Sequence, residues 1–185
     1  MELGAWLKRI DRTRDAVRDQ FGSLYEAQLN WKPNAETWSI AQVLDHMISV
    51  NQSQYVNFDA LIAGTYRAPF AAKIPGLPAL VGHFLLKSQD PNNRKKTKTM
   101  PVWEPESSNL SRDILDRFAA DQKMLKQYLT DLTAGVTGNP AIASPAASFI
   151  VYRLEDAKEL LVRHGERHLY QAAEVKQQLP PELAA

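Results

Sequence analysis

The residues with the clearest chemical potential in this sequence are histidines, and two of them form a pattern. His164 and His168 stand four residues apart; on a helix that spacing puts two side chains about 6 Å apart on nearly the same face. Imidazoles so placed can converge on one metal ion, as His-x-x-x-His pairs on helices do. A single histidine on an apolar face is ordinarily a hydrogen-bonded core residue. Here both members interrupt a core stripe that runs Leu154, Ala157, Leu160, Leu161, His164, His168, Ala172, Val175, Leu179. His46 lies one turn from Val43 and Val50, at the edge of another apolar stripe, and faces the same core. Three neutral imidazoles buried without partners would leave polar nitrogens unsatisfied at roughly 1–3 kcal/mol each, and a shared ion removes that conflict for one nitrogen of each ring. The expected metal ligands are therefore His46, His164 and His168.

Three protein ligands rather than four leave a coordination position open, which is the arrangement of a reactive site rather than a closed structural one. Water or a cosubstrate thiol would occupy it with a lowered pKa, so the catalytic group is expected to be metal-bound water or thiol. Under that reading Gln42 and Val50, one turn to either side of His46, and Gln171, three residues past His168, line the pocket mouth; Gln42 is also placed to cap its helix. Asp45 and Glu166 neighbour the ligands in sequence but point about 100° away on a helix, so neither is expected as general base. Glu174 reads as a solvated charge and His83, inside the apolar stretch Leu77–Leu86, as packing.

Four long amphipathic segments must position these histidines. The first runs from about Glu2 to Phe21, with Leu3, Trp6, Leu7, Ile10, Val17 and Phe21 along one stripe. Ser23 and Glu26 then have the form of a capping box, which predicts a short helical turn before Lys32-Pro33. The second long helix is expected from Ser39 to about Ile62, because Ser39 can cap while Gln42 reaches back. Between Thr65 and Asn109 six prolines, at 69, 75, 78, 91, 101 and 105, forbid continuous regular structure. This is a long crossover, with one short apolar helix at Ala79–Lys87 and an exposed basic loop at Asn92–Lys98. The third long helix is placed from Ser111 to Leu132 and the fourth from Leu154 to Leu179. Phe149-Ile150-Val151-Tyr152 has strand propensity but no evident partner strand, so it is read as packed loop. The expected fold is all-α, a helix bundle with one or two long crossovers, forming a single domain over residues 1–185.

Composition narrows the function. The formal net charge is +1, from 22 basic and 21 acidic residues, which gives no footprint for a polyanion. Nucleic acid is not an expected partner, and Arg94, Lys95, Lys96 and Lys98 read as a solvated loop. With no cysteine there is no disulfide framework, thiolate site or cysteine nucleophile. No apolar run approaches the length that spans a bilayer, and the N-terminus lacks a leader pattern, so a cytoplasmic protein without a membrane partner is expected. The apolar crossover around Leu80–Leu86 could pair two chains as a homodimer.

Two segments give the sequence a familiar look. Trp31-Lys32-Pro33 followed by Glu36-Thr37-Trp38-Ser39-Ile40-Ala41-Gln42-Val43-Leu44-Asp45-His46, together with His164-Gly165-Glu166-Arg167-His168-Leu169-Tyr170-Gln171, resembles the DinB/YfiT-like superfamily over nearly the whole chain. The resemblance implies a four-helix bundle running up-down-down-up, with its long crossover between helices 2 and 3. It also implies one divalent transition metal, Zn, Ni or Fe, on His46, His164 and His168. The activities it implies are those of metal-dependent hydrolases or of S-transferases that use a low-molecular-weight thiol as cosubstrate, acting on a small molecule. The competing expectation is a non-catalytic metal- or small-ligand-binding bundle protein.

Overall fold

The computed structural model describes residues 2–90, 99–105 and 108–184. The expected basic loop at Asn92–Lys98 lies outside the described residues. The fold is mostly helical, with a small antiparallel sheet. Four helices are long: α1 (Leu3–Phe21), α3 (Ile40–Ile62), α5 (Ile114–Gly135) and α6 (Leu154–Gln177). Shorter helices are α2 (Glu26–Asn30), α4 (Leu77–Ser88) within the crossover, and α7 (Pro181–Ala184). Among the described residues no helix is long and apolar enough to cross a membrane.

Local chemistry explains most boundaries. α3 starts where expected: the Ser39 hydroxyl accepts from the Gln42 N–H at 3.1 Å and the Gln42 side chain accepts from the Ser39 N–H at 3.2 Å. Ser23 does not cap α2. That helix begins at Glu26, where the Gln28 carboxamide accepts from the Tyr25 N–H at 2.6 Å. The sheet corrects an all-α expectation. β1 (Ala141–Ser144) pairs with β2 (Ala147–Arg153), Ala143 opposite Val151, so the segment read as packed loop is a strand. Its partner, Ala-Ile-Ala-Ser, is short and poor in β-branched residues, which hid the hairpin. Between Ala143 and Ser144 the register shifts, and Phe149 stands 73% exposed there.

The core falls into two apolar clusters. One contains Trp6, Ile10, Val50, Phe58, Leu125, Leu129 and Leu161; the other contains Val17, Phe21, Val43, Leu44, Phe118, Ala172 and Val175. On three of the long helices buried or half-buried polar residues separate the two blocks: Thr13 on α1, Asp121 and Gln122 on α5, His164 and His168 on α6; on α3 the blocks meet between Ile48 and Val50, with His46 and Asn51 buried to either side. Specific pairs join the helices. Arg9 of α1 binds Glu159 and Glu166 of α6, and Lys176 of α6 binds the Gln20 carbonyl of α1. Asp45, Asn51 and Asp59 of α3 meet Arg117, Asp121 and Tyr128 of α5. Gln54 meets Tyr152 just before α6.

α4 is docked on α6 by two arginines one turn apart. Arg163 donates to the Leu86 carbonyl at 3.0 Å and Arg167 to the Ser88 carbonyl at 3.3 Å, satisfying groups that a helix C-terminus leaves open. Pro78 and Gly82 form the buried side of α4. His83 is exposed, a correction to its reading as packing: it lies about 100° around the helix from Gly82, away from the docked face.

Candidate metal centre

His46 projects from the middle of α3 and is 2% exposed; His164 and His168 project from α6 and are partly buried. One ring nitrogen from each can be chosen so that all three lie within 4.8 Å of one another. The ring centroids are 4.9 Å apart for His46–His164, 4.7 Å for His46–His168 and 4.3 Å for His164–His168. His46 Nε2 and His164 Nε2 are 3.1 Å apart, and two nitrogens bound to one ion at about 2.0–2.1 Å each sit roughly 3 Å from one another. Without an ion the same contact is a single N–H···N hydrogen bond.

The outer ring nitrogens decide which protons are carried. His46 Nδ1 is 2.8 Å from the Trp103 carbonyl oxygen; a carbonyl only accepts, so His46 carries its proton on Nδ1 and keeps a lone pair on Nε2. His168 Nδ1–H likewise donates to Gln171 Oε1 at 2.8 Å. Held this way, both rings turn Nε2 inward. When His46 and His164 share a hydrogen bond, His164 is therefore the donor. Burial lowers the pKa of His46 and takes His164 well below its ordinary value, with the charges of His168, His46 and Arg167 adding to the effect. Burial and then His46 push His168 down to about 3. All three are neutral imidazoles at neutral pH, the protonation state that binds a metal. The donor set is three nitrogens with no thiolate or carboxylate, which suits zinc, nickel or iron better than calcium or magnesium.

The residues expected around the ligands are distributed as follows. Gln42 is taken up in capping α3 and is 6% exposed, while Val50 packs in an apolar cluster. Gln171 touches a candidate ligand directly. Glu166 is bound by Arg9 through two hydrogen bonds of 2.7 Å, and Asp45 pairs with Arg117 at 3.2 Å, so both carboxylates are engaged away from the cluster. A cavity of about 350 Å³ lies elsewhere, among Leu61, Tyr66, Ala72, Pro140 and Arg153, and none of the histidines lines it. Sequence reasoning missed Trp103. It sits in a short 3₁₀ turn, Pro101–Trp103, and is 57 residues from His46; no helical spacing could have linked the two. Trp38, just before the α3 cap, places its ring 4.9 Å from that of His46.

The family model described as the DinB superfamily matches residues 9–172. The chain belongs to the DinB superfamily. Its three clustered histidines all fall inside the matched span, as do Trp38, Trp103 and Gln171. No curated protein and no solved structure matches this DinB-superfamily chain.

Proposed function

We propose that this protein binds one divalent transition metal, Zn, Ni or Fe, through His46, His164 and His168. We further propose that it uses the site on a small molecule, as a hydrolase or as an S-transferase with a low-molecular-weight thiol. The observation that carries the reading is the convergence of three neutral imidazoles, two of them with Nδ1 tied to an acceptor. Membership of the DinB superfamily supports it. A metal held there supplies Lewis acidity and a lowered pKa for water or a thiol. The chain's own part is positional: Trp103 and Gln171 fix two rings, and the apolar clusters on either side limit water.

The same reading takes the fold as a single four-helix bundle of α1, α3, α5 and α6 running up-down-down-up, with the crossover between α3 and α5. Supporting it, early α1 meets early α6 (Arg9–Glu159) and late α1 meets late α6 (Gln20–Lys176). α3 and α5 likewise pair in the same order, whereas α3 meets α6 in reverse, His46 with His164 and Gln54 with Tyr152. The protein is proposed to be cytoplasmic. It is also proposed to be a homodimer through α4, where Leu80 and Phe84 are 68% and 69% exposed.

The test of function is a panel of low-molecular-weight thiols with electrophiles, and separately of esters and amides, with His164→Ala as the blank. Turnover that needs the metal and disappears in His164→Ala is expected in one of them. Metal binding without turnover in any would replace the enzyme with a metal-binding protein.

A further inference from the structure

The ring that α3 offers to the cluster is oriented by a residue of the crossover, and that residue is itself held to α3. His46 Nδ1 donates to the backbone carbonyl of Trp103 at 2.8 Å. A carbonyl is only as well placed as the segment carrying it, and this one belongs to a 3₁₀ turn three residues long. The Trp103 side chain supplies the attachment. Its indole Nε1–H donates to Ser53 Oγ at 3.1 Å, and the Ser53 hydroxyl spends its own proton on the Val50 carbonyl at 2.7 Å. The hydroxyl oxygen is thereby turned toward the indole as an acceptor. Seven residues separate Ser53 from His46, which is two turns of helix and within about 20° of the same line along α3. One residue of the crossover therefore grips the same face of α3 at two heights, with its ring packed on the neighbouring apolar cluster.

We infer that Ser53 and Trp103 are positioning residues for His46: the indole–hydroxyl bond holds the Trp103 carbonyl where it fixes the Nδ1–H tautomer and aims Nε2 at His164. The inference deepens the metal-site reading and rests on it for its purpose, but the tautomer itself is a property of the metal-free chain. Outer supports of this kind change metal affinity by about 10- to 100-fold.

The experiment records ring ¹⁵N–¹H correlations of the metal-free protein at neutral pH, together with zinc affinity by chelator competition. In the wild type His46 shows a protonated Nδ1 and a bare Nε2. Ser53→Ala, and Trp103→Phe, which keeps an aromatic body but loses the N–H, shift His46 to a mixture of tautomers. His168, held separately by Gln171, does not change, and zinc binding weakens roughly tenfold. Ser53→Thr restores both readouts because it keeps the hydroxyl. A His46 pattern unmoved by both Ser53→Ala and Trp103→Phe overturns the inference whatever happens to affinity, as does a Ser53→Thr protein that behaves like Ser53→Ala. If the wild type takes up no zinc while its tautomers respond as described, the metal reading fails and the positioning role stands.

Discussion

Two buried carboxylates in this protein respond to pH in opposite directions, because one is surrounded by cations and the other is not. Glu159 would be raised by burial, but hydrogen bonds from Arg163, Trp6 and Arg9 outweigh that and hold its pKa below the usual value. It contributes stability above the unfolded-state pKa, and that contribution is lost as pH falls through the folded value. Asp121 is 3% exposed and has only neutral donors, Asn51, Tyr55 and Gln122; burial wins and raises it from 3.8 to about 6. Its contribution is full below the unfolded value and is lost as pH rises through about 6. At 1.36 kcal/mol per unit, the wild type should lose about 3 kcal/mol from this group on going from acid to neutral pH. Denaturant titrations at several pH values should show that loss abolished in Asp121→Asn. For Glu159→Gln, a destabilisation of roughly 1–3 kcal/mol at pH 7 is expected, since Arg9 and Arg163 lose a charged partner.

At the scale of elements, two glycines on packed faces should behave differently when given a methyl group. A Cβ on Gly82 would sit 2.2 Å from Asp156 Oδ2 and 2.8 Å from its Cγ. Asp156 is also the side chain that accepts from the Arg153 N–H at the start of α6, so moving it loosens that cap. Gly82→Ala should cost about 1–2 kcal/mol in thermal or chemical denaturation. On Gly165, between the two histidines of α6, a Cβ meets nothing closer than 3.8 Å; Gly165→Ala should stabilise by up to about 1 kcal/mol. What was legible at this scale followed from local rules. The α3 start could be read because Ser39 and Gln42 sit three residues apart and satisfy each other. The hairpin could not, since a four-residue strand of Ala, Ile and Ser carries almost no signal of its own, and the two residues that join it to β2, Pro145 and Ala146, are not one of the glycine-containing pairs that mark a tight hairpin. The α2 start moved because Gln28 competed with Glu26 for the capping role.

For the whole molecule, the four stripes that predicted four long helices are the ones that are buried, and the interruption of the α6 stripe by His164 and His168 was the visible trace of the site. His46 could be joined to them because it lies at the edge of the α3 apolar stripe, one turn from Val43 and Val50, and faces the same core. Trp103 could not, because a crossover interrupted by prolines has no period from which to infer what it touches. The homodimer proposed above places its contact on the exposed side of α4. If Leu80 and Phe84 form the dimer contact, sedimentation velocity should give about twice 20.8 kDa for the wild type, and Leu80→Asp with Phe84→Asp should return it to the monomer.

The most direct test of the three-histidine centre is the metal content of untagged protein, before and after reconstitution with zinc, nickel or iron. About one transition-metal ion per chain is expected, with none retained by His46→Ala or His164→Ala. A wild-type protein that carries no metal and takes up none on reconstitution would contradict it.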